Sequence, residues 1–349
     1  MSLPLVVKLG GDALASPARI AAEAERIARL AAAGPVVAVA SARRGVTDRL
    51  LGLALEVDSA ARRLGTPAAD ERPGDAAERD RVVASGEVVA ASLLALALNR
   101  LGVRAVSLDA REAGIAAAGL HGGARIRRIN PRRIAQLLAR GVVPVVTGFQ
   151  GWRRGRVTTL HRGGTDTSAI ALAAALGGGR VLLVKDAEGL RTADPKLVPE
   201  SRPIRQAPHH FLTALTAAGA RVVQADAAAL AEREGVTLEF CSLESDAPLS
   251  IVAAGTEGDG LAAVALAHLG DGVAAVTVVT ADATDRTGAL DGWIAALTEA
   301  AITVLDRQPA ADGIRLLVPE AQATVALRVL HRCTVEDGGT SRAGVRRAS

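Results

Sequence analysis

Short apolar segments alternate with amphipathic segments along the first part of the chain, and this alternation constrains the fold more than any other feature. Residues 5–11 and 36–41 are apolar and short, as in buried strands. Each is followed by a segment with helical periodicity, at 16–34 and 47–65. Strands joined through helices pair in parallel and are covered on both faces. The sequence therefore predicts an α/β fold, an open and mostly parallel sheet sandwiched by helices.

The same alternation continues to about residue 242. Further strands are expected at 103–108, 142–150, 180–186 and 236–242, and further helices at 85–102, 129–141, about 166–176, near 206–218 and at 224–234. Residues 66–80 are polar and contain proline and glycine, so we expect a surface loop there. Residues 151–160 predict a hairpin beside the strand 142–150.

The pattern changes after a stretch at about 245–260, where the chain is rich in small and turn-forming residues. Beyond it we expect a small α+β module that has most of a βαββαβ order, with strands at 273–281, 303–308 and 313–318 and helices at 288–301 and 321–332. The chain of 349 residues is also too long for one small core. The expected domains are 1–245 and 260–336, followed by a disordered tail at 337–349.

Composition argues against several classes of protein. The net charge is +4, but only three Phe and two Trp are present, whereas single-stranded nucleic-acid binding relies on stacking aromatics. Cys241 and Cys333 are far apart and suit a reducing cytoplasm. The N-terminus has no signal-peptide pattern, and no uninterrupted apolar run approaches the ~20 residues of a membrane span. We expect a cytoplasmic protein that binds neither nucleic acid nor membranes.

Lys8, Gly10 and Gly11 lie where the first predicted strand ends. Ligands of open α/β sheets bind at these carboxyl ends. Glycines allow backbone N–H groups to approach phosphate oxygens, and a lysine adds positive charge. A tight turn with a surface lysine is the alternative.

The segment "HRGGTDTSAIALAAAL" (161–176) is a second junction of this kind. Gly163 and Gly164 permit a close bend before a helix whose N-terminus favours an anion. Arg162 adds a guanidinium that can bind a carboxylate through two hydrogen bonds. Simple helix capping by Thr165 or Asp166 is the alternative.

The segment "KDAEGLRTADPK" (185–196) is a third junction, with Asp186 at a strand end and Asp194 opening a turn, although an ordinary loop would explain it equally well. Glu87 lies at a predicted helix start, and Ser41 and Thr47 flank the loop after the second strand. Neither a nucleophilic elbow nor metal-ligand spacing is present, and no metal ligand is assigned. Glycines, cations, hydroxyls and acids at strand ends are what phosphoryl transfer requires.

These residues occur in segments that resemble the aspartate kinases of the amino acid kinase superfamily over about residues 4–242. The segments, in family order, are "VVKLGG", "ASARRGVTDRL", "ERDRVVASGEVVAASLLALAL", "AGIAAAGLHGGARI", "VVPVVTGFQG", "VTTLHRGGTDTSAIALAAAL" and "LLVKDAEGLRTADPKLVPE". The resemblance implies that ATP, with Mg²⁺, phosphorylates the side-chain carboxylate of L-aspartate.

The resemblance also implies residue roles. Lys8 and Asp166 are the implied catalytic residues. Substrate binding is implied for Ser41, Thr47, Glu87, Arg125, Arg162 and Thr165, with Glu87 receiving the amino group and Arg162 the α-carboxylate. Nucleotide binding is implied for Lys8, Gly10, Gly11, Gly163, Gly164, Asp186, Arg191, Asp194 and Arg221.

The chain departs from the family pattern at four places. Asp12-Ala13 replaces two small, often hydroxyl-bearing residues, and a carboxylate near phosphates is unfavourable unless Mg²⁺ or a cation offsets it. Lys185 replaces a small hydroxyl residue, Arg191 an aromatic one, and Arg221 a lysine. A kinase for another acidic amino acid, or a catalytically inactive ligand-binding regulatory paralogue, therefore stays open as an alternative.

The last ~90 residues resemble one ACT module, the amino-acid-sensing unit of which aspartate kinases typically carry two. A final strand of the module is not evident in the sequence. The resemblance implies an amino-acid effector and a homo-oligomer, since such modules usually pair. A purely structural dimerisation unit is the alternative.

Overall fold

The computed structural model describes residues 3–64, 73–161, 163–186, 189–258, 260–281 and 286–336. The chain divides into two compact units: residues 1–187 with 236–247, and residues 188–235 with 248–349. Residues 188–235, which the sequence assigned to the first domain, thus group with the C-terminal part of the chain. The predicted tail at 337–349 lies outside the described residues.

The first unit contains most of the predicted α/β alternation. Its elements up to residue 186 are β1 (Leu5–Leu9), α1 (Pro17–Ala33), β2 (Val36–Ala40), α2 (Val46–Leu64), α3 (Pro73–Arg100), β3 (Ala105–Leu108), β4 (Ile115–Ala118), β5 (Arg125–Ile129), α4 (Arg132–Ala139), β6 (Val143–Thr147), β7 (Gln150–Arg153), β8 (Arg156–Thr159), α5 (Gly164–Ala175) and β9 (Arg180–Val184).

The second unit follows, interrupted by one strand that belongs to the first. In chain order the elements are β10 (Leu190–Arg191), β11 (Pro203–Ile204), β12 (Gln206–Ala207), α6 (His209–Ala217), α7 (Ala225–Glu234), β13 (Thr237–Cys241), β14 (Ser250–Val252), β15 (Ala262–Gly270), β16 (Val273–Thr280), α8 (Arg286–Glu299), β17 (Asp306–Ala310), β18 (Gly313–Pro319) and α9 (Ala323–His331). Of these, β13 lies in the first unit.

A parallel sheet forms the centre of the first unit, which confirms the predicted fold class. Within this unit the strand order is β13-β9-β1-β2-β6-β3, and every neighbouring pair is parallel. Strands β2 and β6 are buried along their whole length, as expected for strands covered on both faces. The apolar core between this sheet and helices α1 and α3 includes Leu14, Ile27 and Leu94.

Residues at both ends of α1 explain where this helix begins and ends. Ser16 caps α1, since its side chain accepts a hydrogen bond from the backbone N–H of Arg19. Gly34 follows the last turn, and its N–H donates to the carbonyl of Leu30. Both ends were predicted from these residues.

The predicted surface loop at 66–80 is wrong from Pro73 onward, where α3 begins. Residues 65–72 lie outside the described residues. The polar composition of 73–80 conceals a helical face, because Ala77 and Asp80 are both 4% exposed while the residues around them face solvent. Burial of this face against the rest of the unit outweighs the loop-like composition.

The predicted hairpin at 151–160 exists as β7 and β8, but it does not lie beside β6. It belongs to a second sheet with the order β5-β4-β7-β8, in which β4 and β7 are parallel and the two outer pairs antiparallel. Strands β4 and β5 were not predicted, since each is short and lacks a clear apolar alternation.

Asp80 on α3 holds this second sheet. Its carboxylate accepts hydrogen bonds from the Thr158 and Thr159 hydroxyl groups and from the backbone N–H groups of Thr159 and Gly122. The His121 Nδ1 atom lies 2.7 Å from the same carboxylate. A buried charge is tolerated here because hydrogen-bond donors surround it.

In the second unit, β15 to β18 form an antiparallel sheet with the order β15-β16-β18-β17. The predicted strand and helix order from 273 to 332 is confirmed. Strand β16 is buried at six consecutive residues, and β15 pairs along the edge that a final strand would otherwise occupy. Strand β15 was missed because glycines and small residues surround it in the sequence.

One described helix, Gly74–Arg100, is long and apolar enough to cross a membrane when judged by length and composition alone. Half of its most apolar window is buried inside the protein, as in a core helix.

We expect Asp80→Ala to lower the free energy of unfolding by about 2–3 kcal/mol, because it leaves buried N–H and hydroxyl donors without an acceptor. Urea unfolding followed by circular dichroism measures the change. The matched control is Glu78→Ala on the same helix, which removes an exposed ion pair with Arg156 and should cost less than about 1 kcal/mol. Equal losses in the two variants would contradict the role of Asp80.

Candidate functional site

Three adjacent parallel strands end at one edge of the main sheet. Beyond the ends of β1, β2 and β9 come Gly10, Ser41 and Lys185. Backbone hydrogen bonds tie these ends together, since Gly10 N–H donates to the Val184 carbonyl and Ser41 N–H to the Leu9 carbonyl. The chain segments that follow β1, β2 and β9 therefore begin at the same edge of the sheet.

A buried charge cluster lies at the same edge. The Lys8 Nζ atom is 2.8 Å from Asp166 Oδ1, and the Lys185 Nζ atom is 2.8 Å from Asp166 Oδ2. The side chains of Lys8 and Asp166 are 8% and 6% exposed, and that of Lys185 is 20% exposed. One carboxylate therefore holds two ammonium groups, which come from β1 and from the end of β9.

Burial alone would raise the pKa of Asp166, but the nearby Lys185 and Lys8 charges outweigh it and lower that pKa to about 2. Burial lowers the pKa of the Lys185 ammonium group; the Lys8 charge acts in the same direction, and the Asp166 carboxylate opposes both. The carboxylate is thus ionised at neutral pH.

Asp166 reaches the cluster from the first turn of α5, where the chain must bend closely. Gly163 precedes the helix at φ 80°, a left-handed conformation that favours glycine, and no side chain caps the helix. The alternative of capping by Thr165 or Asp166 is therefore wrong. Thr165 is buried against Gly148, where an added Cβ would lie 2.3 Å from Thr165 Cγ2. Arg162 lies outside the described residues.

Arg44 contacts two acidic residues near the Gly10-Gly11 turn, Asp12 and Asp186. Its guanidinium forms an ion pair with Asp12 and lies 3.5 Å from the Asp186 carboxylate. The backbone N–H of Arg44 also donates to the Gly11 carbonyl. The unfavourable carboxylate at position 12 is therefore offset by a cation that sequence reasoning did not assign.

Glu87 projects from α3 toward the end of β2. Its Oε1 accepts a hydrogen bond from the backbone N–H of Ala42, while its buried Oε2 has no hydrogen-bond partner among the described residues. Burial raises the pKa of Glu87 to about 7, and the hydrogen bond from Ala42 limits that rise. The predicted helix start near Glu87 is wrong, because Glu87 lies in the middle of α3.

The remaining predicted substrate residues are less closely connected. Ser41 follows β2, and Thr47 lies in the first turn of α2; both are partly buried. Arg125 begins β5 in the smaller sheet and is exposed, and no hydrogen bond or ion pair joins it to the charge cluster in the described part of the chain.

Three predicted nucleotide residues belong to the second unit. Arg191 donates a hydrogen bond to the Ser201 hydroxyl and another to the Ser201 carbonyl. Asp194 is exposed and accepts a hydrogen bond from the backbone N–H of Lys196, as expected of a turn. Arg221 is exposed between α6 and α7. The nucleotide roles of all three stay predictions.

Sequence reasoning missed the roles of Lys185 and Arg44. Lys185 was interpreted only as a departure, although its position one residue after β9 places it on the same edge as Lys8. Arg44 was hidden inside the loop that follows β2. Lys185 lies at the end of the predicted strand 180–186, and Arg44 lies shortly after the predicted strand 36–41. These positions could have suggested both residues, but the sequence does not indicate which side chains they contact.

The family model described as "Amino acid kinase family" matches residues 4–242. The chain belongs to the amino acid kinase family. The matched range contains every residue of the charge cluster, Glu87 and the strand ends described above.

Relatives within the family include aspartokinases. The aspartokinase of Mycolicibacterium smegmatis is 36% identical over 72% of this chain and 58% of its own length. That of Corynebacterium glutamicum is 33% identical over 81% of this chain and 65% of its own length. Among solved structures, E. coli aspartokinase III in complex with aspartate and ADP superposes with a TM-score of 0.63 at 22% identity, covering 92% of this chain and 79% of that one. The last comparison supports the fold.

The chain spans only about six-tenths of the length of these curated relatives. The family membership is therefore shown for the kinase region, whereas the activity of the whole relatives does not transfer with it.

We expect Asp166→Asn to lower the free energy of unfolding by about 3–5 kcal/mol, because two buried ammonium groups lose their counter-charge. The matched control is Asp186→Asn, whose carboxylate is 66% exposed and should contribute less than about 1 kcal/mol. Urea unfolding of the full chain at pH 7 measures both variants. An unchanged unfolding midpoint for Asp166→Asn would contradict the arrangement of the cluster.

Proposed function

We propose that the protein is an aspartate kinase that transfers the γ-phosphoryl group of ATP to the side-chain carboxylate of L-aspartate. The observation that carries this proposal is Glu87, a buried carboxylate with an unpartnered oxygen at the sheet edge that also carries Lys8. An α-ammonium group would complete the hydrogen bonds of Glu87, and Lys8 would face the phosphate. Relatives named aspartokinase, and the neighbouring structure with aspartate and ADP, support the choice of substrate.

The chemistry needs no general base. An aspartate carboxylate is ionised at pH 7, so one of its oxygens can attack the γ-phosphorus directly. A P–O bond forms to the carboxylate, the bond from the γ-phosphorus to the β–γ bridging oxygen breaks, and ADP leaves with that electron pair. The product is an acyl phosphate. The protein supplies orientation and positive charge, which are the main contributions to phosphoryl transfer.

We infer the following division of roles. Lys8, held by Asp166, and the glycine turn of Gly10 and Gly11 face the phosphates. Ser41, Thr47 and Thr165 line the acceptor side. Arg162 is assigned to the α-carboxylate from the sequence alone. Arg125, Gly163, Gly164, Asp186, Arg191, Asp194 and Arg221 keep their predicted roles in substrate or nucleotide binding.

In this proposal Mg²⁺ binds together with the nucleotide. Among the described residues no group of three or more His, Cys, Asp or Glu side chains is placed to hold a metal ion. Mg²⁺ in such sites is usually held by substrate phosphates with one or two carboxylates. Asp186, which is 66% exposed just after β9, would be a carboxylate of this kind. The ion would neutralise charge on the phosphate oxygens.

We further infer an ACT-like regulatory role for the last module and a cytoplasmic homo-oligomer. An open groove of about 600 Å³ between α8 and residues 302–307 is a candidate place for an effector. Cys241 is buried, and burial raises the pKa of its thiol to about 11, as expected of an unreactive cysteine in a reducing compartment.

The proposal is tested by ATP turnover with Mg²⁺ and a panel of L-aspartate, L-glutamate, N-acetylglutamate and 2-aminoadipate. Acyl phosphate is trapped as the hydroxamate. We expect turnover with L-aspartate alone. Turnover with a different acid would show that the substrate is that acid and not L-aspartate. No turnover on a folded sample would favour the regulatory paralogue.

A second test uses the raised pKa of Glu87. Because only the ionised carboxylate attracts an ammonium group, the KM for aspartate should fall as the pH rises through about 7. Glu87→Gln should raise the KM at least about tenfold and remove this slope, since a charge-assisted hydrogen bond is lost. Initial rates from pH 5.5 to 8.5 measure both.

The matched control is Glu23→Gln on α1. Burial also raises the pKa of Glu23 to about 7, but Glu23 pairs with Arg26 and not with the sheet edge. Its variant should keep the pH slope of the KM. Loss of the slope in the Glu23 variant, or its survival in Glu87→Gln, would contradict the assignment.

A further inference from the structure

Lysine is rare in this chain. Of its 41 lysine and arginine residues, only Lys8, Lys185 and Lys196 are lysines. Two of these three share the single carboxylate of Asp166, at 2.8 Å each. Arginine and lysine differ in shape, since an ammonium group is a compact point charge whereas a guanidinium is a flat fork. The two lysines therefore mark a place where a compact cation is needed in a chain that otherwise uses arginine.

The cluster carries an excess positive charge. Two ammonium groups oppose one carboxylate, and the N-terminus of the 12-residue helix α5 adds its partial positive charge beside them. Buried charge is costly unless it is paired, and the lowered pKa of Lys185 reflects that cost. An anion placed between the ammonium groups would remove the imbalance.

Asp166 has a counter-charge even without Lys185. Lys8 already lies 2.8 Å from Asp166 Oδ1 and holds the first turn of α5 against β1. Lys185 adds a second ammonium on the other oxygen, from the strand β9 that pairs with β1. Because both nitrogens touch the same carboxylate, the two cations lie within about 8 Å of each other, a span that a phosphoryl group can bridge.

We propose that Lys185 is a second phosphoryl-binding cation, so that the transferred γ-phosphoryl group lies between the Lys8 and Lys185 ammonium groups. This inference rests on the proposed kinase function. Asp166 then holds both cations in position. Lys185 supplies at the sheet edge the positive charge that the family resemblance assigns to Arg221. As the β–γ P–O bond breaks, negative charge that develops on the bridging and γ-phosphoryl oxygens is stabilised by both ammonium groups, and no proton is transferred.

The test compares Lys185→Gln and Lys185→Arg with Lys196→Gln, which removes the exposed third lysine. Calorimetry measures the binding of ADP and of a non-hydrolysable ATP analogue, each with Mg²⁺. We expect wild-type protein to bind the ATP analogue more tightly than ADP, and Lys185→Gln to reduce that preference about tenfold with little change for ADP. Lys185→Arg should restore part of the preference, and Lys196→Gln should keep all of it.

Kinetics supply the second readout. We expect the kcat of Lys185→Gln to fall about 100-fold while the KM for aspartate changes less than threefold, because removing one preorganised donor costs about 10²–10³ in rate. Circular dichroism and urea unfolding confirm that each variant is folded. A purely structural lysine would change stability but leave the preference for the γ-phosphate and the kcat near wild type.

The outcomes separate this inference from the function on which it rests. If wild-type protein phosphorylates aspartate and Lys185→Gln retains both kcat and γ-phosphate preference, the role of Lys185 is overturned and the kinase stands. If the preference exists and depends on Lys185 but aspartate is not turned over, Lys185 is supported and the substrate assignment fails. A wild-type protein without any preference for the γ-phosphate overturns the role of Lys185.

Discussion

The shared carboxylate of Asp166 is the interaction on which the site depends. It connects the first turn of α5 to β1 through Lys8 and to the end of β9 through Lys185. The three side chains are largely buried, so the loss of one member would leave a charge without its partner and would be costly. The cluster thereby links the position of three elements to the electrostatics of the sheet edge, with one positive charge in excess.

Three acidic residues of the first unit differ in which groups offset their charge. Asp80 is buried and surrounded by donors, whereas Asp12 is half exposed and paired with Arg44. Glu87 differs from both, because it is buried with one oxygen unpartnered and its pKa is raised to about 7. Asp80 and Asp12 both find partners for their carboxylates within the protein. In the proposed function the third arrangement, that of Glu87, is completed by the ammonium group of the substrate.

In the second unit, a strand that precedes the predicted module completes its sheet. Strand β16 is buried at six consecutive residues and needs a neighbour along each edge. Strand β18 covers one edge and β15, which precedes the module, covers the other. The unit also recruits residues 188–235, so that Ala193 and Val198 join the core formed around Val276 and Leu316. The C-terminal module, which lacks a final strand of its own, can thus bury its sheet.

The sequence by itself determined the order of the central strands and most of their helices, the capped ends of α1, and the placement of Lys8, Gly10 and Asp166 at strand and helix ends. These features follow from periodicity, capping and glycine conformation, which act between residues close in the chain. Only the tertiary structure decided that Lys185 shares Asp166, that Arg44 offsets Asp12, that 73–80 is helical, and that β15 completes a sheet. Each of these depends on burial or charge pairing between segments distant in sequence, and no local preference specifies which distant partner a side chain will meet.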